Sequence, residues 1–250
     1  MQTFAIIGGT GLTEFTELVN KKVHENIITE LGQPSSNIIE GEMHGQRLLF
    51  LARHGHPHAV PPHKINYRAN LLALQSLGTD QIIAVNAVGG IHEEAKAGHV
   101  SIPHQIIDYT HGRETTYFDG IFKPLDHIDF SHPYDEALRQ KLIKATSKQA
   151  LEHGSSDFGV YGATQGPRLE SIAEINRLEN DGCDLVGMTG MPEAVLAREL
   201  DIPYASLCLV VNPAAGKSDA LITMEDIRQV ITTGMQDIKG IISEYVRGHD

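Results

Sequence analysis

Apolar runs bounded by glycine mark buried strands at Phe4–Ile7, Leu48–Ala52, Gln81–Val85, Leu185–Met188 and Tyr204–Val211. His99–Ile107 and Gly159–Ala163 are weaker strand candidates. Helical spacing lies between them. Asn66–Leu77 carries Leu71, Leu74 and Leu77 on one side, and Glu170–Leu178 carries Ile172, Ile175 and Leu178. Pro192 takes a first-turn position ahead of Val195, Leu196 and Leu200. The last helix has the clearest stripe: Ile227, Val230, Ile231, Ile238, Ile241, Ile242 and Tyr245. Alternating strands and helices predict an α/β fold, a central mixed and largely parallel sheet flanked by helices. There is no internal repeat, low-complexity segment or linker, so a single domain is expected over residues 1–250. Ligands in such sheets bind beyond the carboxyl ends of strands.

Composition narrows this picture. Hydrophobic residues make up 41% of the chain, enough for a sizeable core. No run reaches the eighteen or so apolar residues a membrane helix needs. The N-terminus has neither a basic segment nor a small-residue cleavage site, so no signal peptide is read there. Cys183 and Cys208 both fall in apolar runs, as reduced core thiols of a cytoplasmic protein would. Acidic residues outnumber basic ones by 32 to 20, a formal charge of −12. Such a surface repels nucleic acid and anionic membrane, so an anionic substrate requires a small local site.

Six segments carry candidate chemistry. Gly8–Gly11 lets the backbone turn and approach an anion, with Thr10 adding a hydroxyl; it lacks the spacing of a dinucleotide fingerprint. In Leu51–His58, Arg53 at a strand end suits phosphate. His54, His56, His58 and His63 leave three chemistries open there: a phosphate and sugar site, a phosphohistidine, or a metal. Ala84–Gly90 ends a buried strand in Asn86, Ala87 and two glycines. Gly166–Glu170 presents Leu169 and then Glu170 at the start of a helix, where a carboxylate is favoured in any case. Val186–Glu193 holds Met188 and Thr189 ahead of Pro192, and Thr189 faces the same anion as Thr10 if the two strands are near. Leu209–Gly216 brings an apolar strand to a single amide, Asn212.

The order and spacing of Gly8–Gly11, Arg53–Gly55, Asn66 and Tyr67, Asn86–Gly90, Gly166–Arg168 and Met188–Glu193 resemble the trimeric purine nucleoside phosphorylases, in the branch that cleaves methylthio-nucleosides. The resemblance spans residues 4–245. It implies a phosphate and sugar site at the histidine segment, with Thr10, Arg53, His54, the Ala87 main chain and Thr189 binding phosphate. It places Met188 against the ribose, with Leu169, His58 and Asn86 among the residues that bind substrate. It also implies a homotrimer, with His127 lent to a neighbouring subunit, and no metal or cofactor: inorganic phosphate is a co-substrate.

The chain departs from the methylthioadenosine phosphorylase pattern at the base. Where that pattern has two aspartates this chain has Asn212 and Ala214, and Glu170 stands where adenine-specific relatives have a small hydroxyl residue. A 6-oxopurine carries a hydrogen on N1 and an acceptor at O6. Glu170 can accept the first, and the Asn212 amide can donate to the second while its carbonyl accepts from a protonated N7. Adenine has no N1 hydrogen, and a mismatch of buried polar groups costs about 1–3 kcal/mol each. Met224 takes the place of a histidine that binds the 5′-hydroxyl in inosine phosphorylases, and a thioether suits a methylthio group. The expected substrate is therefore 5′-methylthioinosine, with methylthioadenosine and inosine or guanosine as the neighbouring alternatives and a non-catalytic purine-binding module as a distant one.

Overall fold

A computed structural model of the chain describes residues 2–219 and 221–248. Among them, one sheet contains β1 (Thr3–Gly8), β2 (Val19–His24), β3 (Ile38–Met43), β4 (Gln46–Ala52), β5 (Gln81–Gly90), β6 (Val100–Ser101), β7 (Gln105–Asp108), β8 (Ser155–Ser156), β9 (Val160–Ala163), β10 (Leu185–Gly187) and β11 (Tyr204–Pro213). The helices are α1 (Tyr67–Ser76), α2 (Glu136–Thr146), α3 (Ile172–Asn180), α4 (Gly190–Glu199) and α5 (Met224–Arg247). Six of the ten strand pairings are parallel, so the sheet is mixed and largely parallel as expected.

Alternation along the strands feeds two cores. Phe4 and Ile6 of β1 join one face, with Leu138 and Leu142 of α2 and Ile238, Ile241 and Tyr245 of α5. Ala5 and Ile7 join the other, with Leu71 and Leu74 of α1 and Ala194, Leu196 and Ala197 of α4. The α5 stripe is buried except for the half-buried Val230, and each fully buried aliphatic side chain stabilises the fold by roughly 1.5–3 kcal/mol. Thr223 caps α5 by accepting from Asp226 N, and Glu225 and Asp226 sit in its first turn, where the helix dipole favours them. No helix among the described residues is long and apolar enough to cross a membrane.

The structure departs from the sequence reading in several places. β2, β3 and α2 are additional elements: β2 is an exposed edge strand, and α2 is capped by Asp135. The expected His99–Ile107 strand is broken into β6 and β7 around Pro103, which has no N–H for a ladder. β5 runs on to Gly90, because β11 pairs with it as far as Pro213; Asn86 therefore lies within the strand. α3 starts at Ile172, because Ser171 and Glu174 form a reciprocal capping box, so Glu170 is left just outside the helix.

β5 organises the rest. β11 fills one of its edges from Ile82 to Gly90. The other edge is shared: β1 pairs in parallel up to Ala84, and β10 pairs antiparallel at Gly89 and Gly90. Because β1 and β10 run in opposite senses along that edge, both carboxyl ends point at the gap between them, Val85–Val88. The turns after Gly8 and after Gly187 consequently meet there.

Candidate active site

Arg53 follows β4 directly and sends its guanidinium into this gap. Its Nη1 donates to the Val85 carbonyl at 3.0 Å, beside the end of β1. Nε and Nη2 donate to the two carboxylate oxygens of Glu193, each at 2.7 Å, and neither side chain has any solvent exposure. The Tyr204 hydroxyl donates to the same carboxylate at 2.9 Å. Burial alone pulls the Arg53 pKa down, but the neighbouring Glu193 charge outweighs it and holds the guanidinium above its ordinary range. A guanidinium has five N–H donors. Three are engaged, so one hydrogen remains on each terminal nitrogen, a pair of donors of the kind that two oxygens of an anion accept. Gly9 permits this approach: a Cβ there would lie 2.6 Å from Val85 O and 2.9 Å from Arg53 Nη1.

The next side chain has the opposite polarity. His54 Nδ1 lies 2.9 Å from the Val60 carbonyl, which can only accept, so Nδ1 carries the hydrogen. Neutral His54 then offers Nε2 as an acceptor. Burial, and after it the Arg53 charge, lower its pKa to about 4. Its ring stacks on His58 at 4.4 Å. Thr189, at the junction of β10 and α4, donates its hydroxyl to Asn86 Oδ1 at 2.9 Å, and the Asn86 amide donates in turn to Ser206.

One cavity of about 410 Å³ collects eleven of the thirteen predicted residues: Thr10, Arg53, His54, His58, Ala87, Leu169, Glu170, Met188, Thr189, Asn212 and Met224. The two it leaves out have evident reasons. Asn86 is buried behind Thr189, with its amide used on Ser206, so it supports the wall instead of lining it. His127 is exposed in the 119–131 loop, outside the cavity of its own chain. Glu170 accepts from the Thr164 hydroxyl at 2.6 Å, which fixes one carboxylate oxygen and leaves the other. Asn212 follows a register shift in β11 and donates to Pro213 O at 2.7 Å, leaving its Oδ1 and a second amide hydrogen. Ile222, Met224, Ile227 and Ile231 supply an apolar wall, with Met224 half-exposed at the start of α5. Gly166, at φ +61°, packs against the Met188 side chain where a Cβ would collide with the sulfur.

The four histidines do not meet at one point: His54 and His58 stack, but His56 does not join them. His54 turns to Val60 while His56 lies 3.6 Å from Glu14 on the other side of the loop. A second cavity, about 570 Å³, lies on that side, lined by residues such as Glu14, Lys21, Gln33 and His56, and contains none of the predicted site residues.

A family model described as the Phosphorylase superfamily matches residues 3–247. The chain belongs to the Phosphorylase superfamily. A probable S-methyl-5′-thioinosine phosphorylase of Pseudomonas syringae pv. tomato is 54% identical over 97% of this chain and 98% of its own. A 6-oxopurine nucleoside phosphorylase of Pyrococcus furiosus is 40% identical over 97% of this chain and 91% of its own. The solved methylthioadenosine phosphorylase of Schistosoma mansoni, in complex with adenine, superposes with a TM-score of 0.92 at 28% identity, covering 100% of this chain and 93% of that one.

In the Val186–Glu193 segment of this phosphorylase, Met188 and Thr189 stand out as candidate ligands in the sequence, whereas Glu193 does not. The available signal was a carboxylate among Met191, Ala194, Leu196 and Ala197, on a helix otherwise buried. Glu193→Gln keeps the shape but removes the charge balancing Arg53. It is expected to cost about 3 kcal/mol in urea unfolding without phosphate, with part recovered at saturating phosphate. Equal stability of variant and wild type without phosphate would show that the pair contributes nothing.

Burial, and after it the Arg53 charge, hold the His54 pKa down at about 4 in the folded phosphorylase against an ordinary 6.5. Between those values the unfolded chain holds a proton that the folded chain lacks. Stability therefore falls as pH drops from 6.5 towards 4, by about 3 kcal/mol at the limit. Urea unfolding at pH 7 and pH 4.5 should show a smaller acid loss for His54→Asn than for wild type; identical losses would remove His54 as a source.

Proposed function

We propose that this phosphorylase uses inorganic phosphate to convert S-methyl-5′-thioinosine to hypoxanthine and 5-methylthioribose 1-phosphate, in purine salvage and without a cofactor. The observation that carries the reading is that one cavity combines the open Arg53 donors, the Glu170 and Asn212 pair, and the apolar wall around Met224. The activity named for the Pseudomonas syringae relative supports it.

Phosphate is held by the Thr10 turn, the free edge of Arg53 and the Ala87 main chain. A P–OH of the anion donates to His54 Nε2 or to Thr189 Oγ1, whose own proton goes to Asn86. Met188 lies against the ribose and Leu169 against the base, with His58 beside the sugar hydroxyls. The C1′–N9 bond breaks with its electron pair passing to the purine, and a phosphate oxygen bonds to C1′. The proton released by phosphate ends on the base. Glu170 accepts from N1–H, and Asn212 donates to O6 while accepting from N7–H. Catalysis is positioning and electrostatic complementarity around a cationic sugar.

The proposal includes a homotrimer in the cytoplasm, with His127 serving a neighbour's cavity. Its exposure outside its own cavity supports that role.

The test is base release from methylthioinosine, methylthioadenosine and inosine in phosphate buffer. Hypoxanthine release from methylthioinosine is expected to dominate; a preference for methylthioadenosine overturns the base assignment. Asn212→Asp should move the ratio of adenine to hypoxanthine nucleoside turnover by about tenfold towards adenine, and an unmoved ratio removes Asn212 from base selection.

Met224→His should raise kcat/KM on inosine by about tenfold relative to methylthioinosine. No gain overturns the 5′ assignment.

A further inference from the structure

Two separate segments meet at the substrate in the proposed reaction. One is the base loop after β9, Thr164–Glu170. The other runs from the end of β10 into the first residues of α4, Met188–Met191, and carries the ribose contact and Thr189. They leave neighbouring strands, β9 and β10, which pair in parallel up to Ala163 and Gly187. Just past that ladder Thr164 donates to Gly187 O through its N at 2.8 Å and its hydroxyl at 3.3 Å, and Met188 packs against Gly166. Beyond these contacts both segments are gripped by one side chain outside the cavity lining.

Arg113 lies in the irregular stretch between β7 and α2. Its Nη1 donates to Met188 O at 2.9 Å and to Met191 O at 2.7 Å, with Tyr67 Oη at 3.3 Å. Its Nη2 donates to Thr164 O at 3.2 Å and Gln165 O at 2.8 Å, and its Nε donates to Gln165 Oε1 at 3.2 Å. All five N–H donors of the guanidinium are used. The cation also lies 5.7 Å from the centre of the Tyr67 ring, which fixes its plane. Met191 is non-helical inside α4, at φ −118° and ψ 140°, and gives its carbonyl to Arg113. Thr164, held at its carbonyl, is also the residue whose hydroxyl fixes Glu170.

We propose that Arg113 is a positioning residue that locks the base loop to the ribose and phosphate turn. It thereby sets the distance between the purine and the attacking phosphate. The inference rests on the proposed phosphorolysis. It follows from geometry: a planar fork with five donors spans carbonyls on two segments, whereas an ammonium has three donors and no fixed plane. Phosphate alone, or base alone, needs only its own segment to be in place. The reaction needs both in register, and displacements near 1 Å cost about a hundredfold in rate.

The experiment compares wild type, Arg113→Met and Arg113→Lys. It measures kcat and both KM values with methylthioinosine and phosphate, and the separate affinities for phosphate alone and hypoxanthine alone by thermal-shift titration. Arg113→Met is expected to lose about a hundredfold in kcat while each single-ligand affinity stays within about threefold. Arg113→Lys is expected to recover only a minor part of that rate. A kcat within about threefold of wild type overturns the role, as does a rate loss matched by equal losses of both single-ligand affinities, which marks a purely structural arginine. If Arg113→Met does not fold, Arg113→Lys is judged by the same two criteria. A wild type that releases no base in phosphate overturns the reaction itself, whereas an active wild type beside an equally active Arg113→Met overturns only the lock.

Discussion

The shared edge of β5 is the constraint from which the site follows. β11 accompanies one edge from Ile82 to Gly90, but on the other β1 stops at Ala84 and β10 does not arrive until Gly89. Buried main-chain groups between those points need partners from outside the sheet. The Val85 carbonyl takes one from Arg53. A buried guanidinium in turn requires an anion, which Glu193 supplies, and that carboxylate is further satisfied by Tyr204. Each partner answers a demand created by the one before. The series ends with two donors of Arg53 still open, at the point where two strand-end turns converge.

Polarity around that point is arranged in advance. Arg53 can only donate, while neutral His54 presents an acceptor because Val60 has fixed its other nitrogen. Thr189 is likewise turned into an acceptor by Asn86, which is held by Ser206. An incoming oxyanion bearing one proton finds both kinds of partner oriented before it arrives, so little reorganisation is left for the chemical step. The surrounding surface has the contrary sign, with a formal charge of −12. Under the proposed function, anion recognition therefore depends on these few fixed groups and not on the general field of the protein.

The central strands were legible because burial on both faces leaves uninterrupted apolar runs, as in Phe4–Ile7 and Tyr204–Val211. β2 was not, because an exposed edge strand such as Val19–His24 carries polar residues and no buried alternation. Most of the cavity lining was legible because glycine turns and lone polar residues at strand ends stand out against apolar surroundings. Asn86 was misread in position, since the length of β5 depends on how far β11 accompanies it, and pairing partners are distant in sequence. Arg113 carries no local signal. An arginine in a polar loop resembles any solvated charge until folding brings carbonyls from residues 164–165 and 188–191 around it.

The divided edge also has a consequence for how the chain folds. The pocket is bounded by β1, from the first residues, and by β10 and Glu193, from the last third of the chain. Contacts so far apart in sequence close late, since loop entropy must be overcome before they contribute. A partly folded chain with β1, β4 and β5 docked has Arg53 near its carbonyl but no Glu193 and no Thr189. On the proposed reading phosphate accordingly has little to bind until β10 and α4 arrive, and its binding energy is added only to the completed state. In the proposed reaction the co-substrate is thus also a ligand of the folded state, stabilising the chain only once both halves of the divided edge are in place.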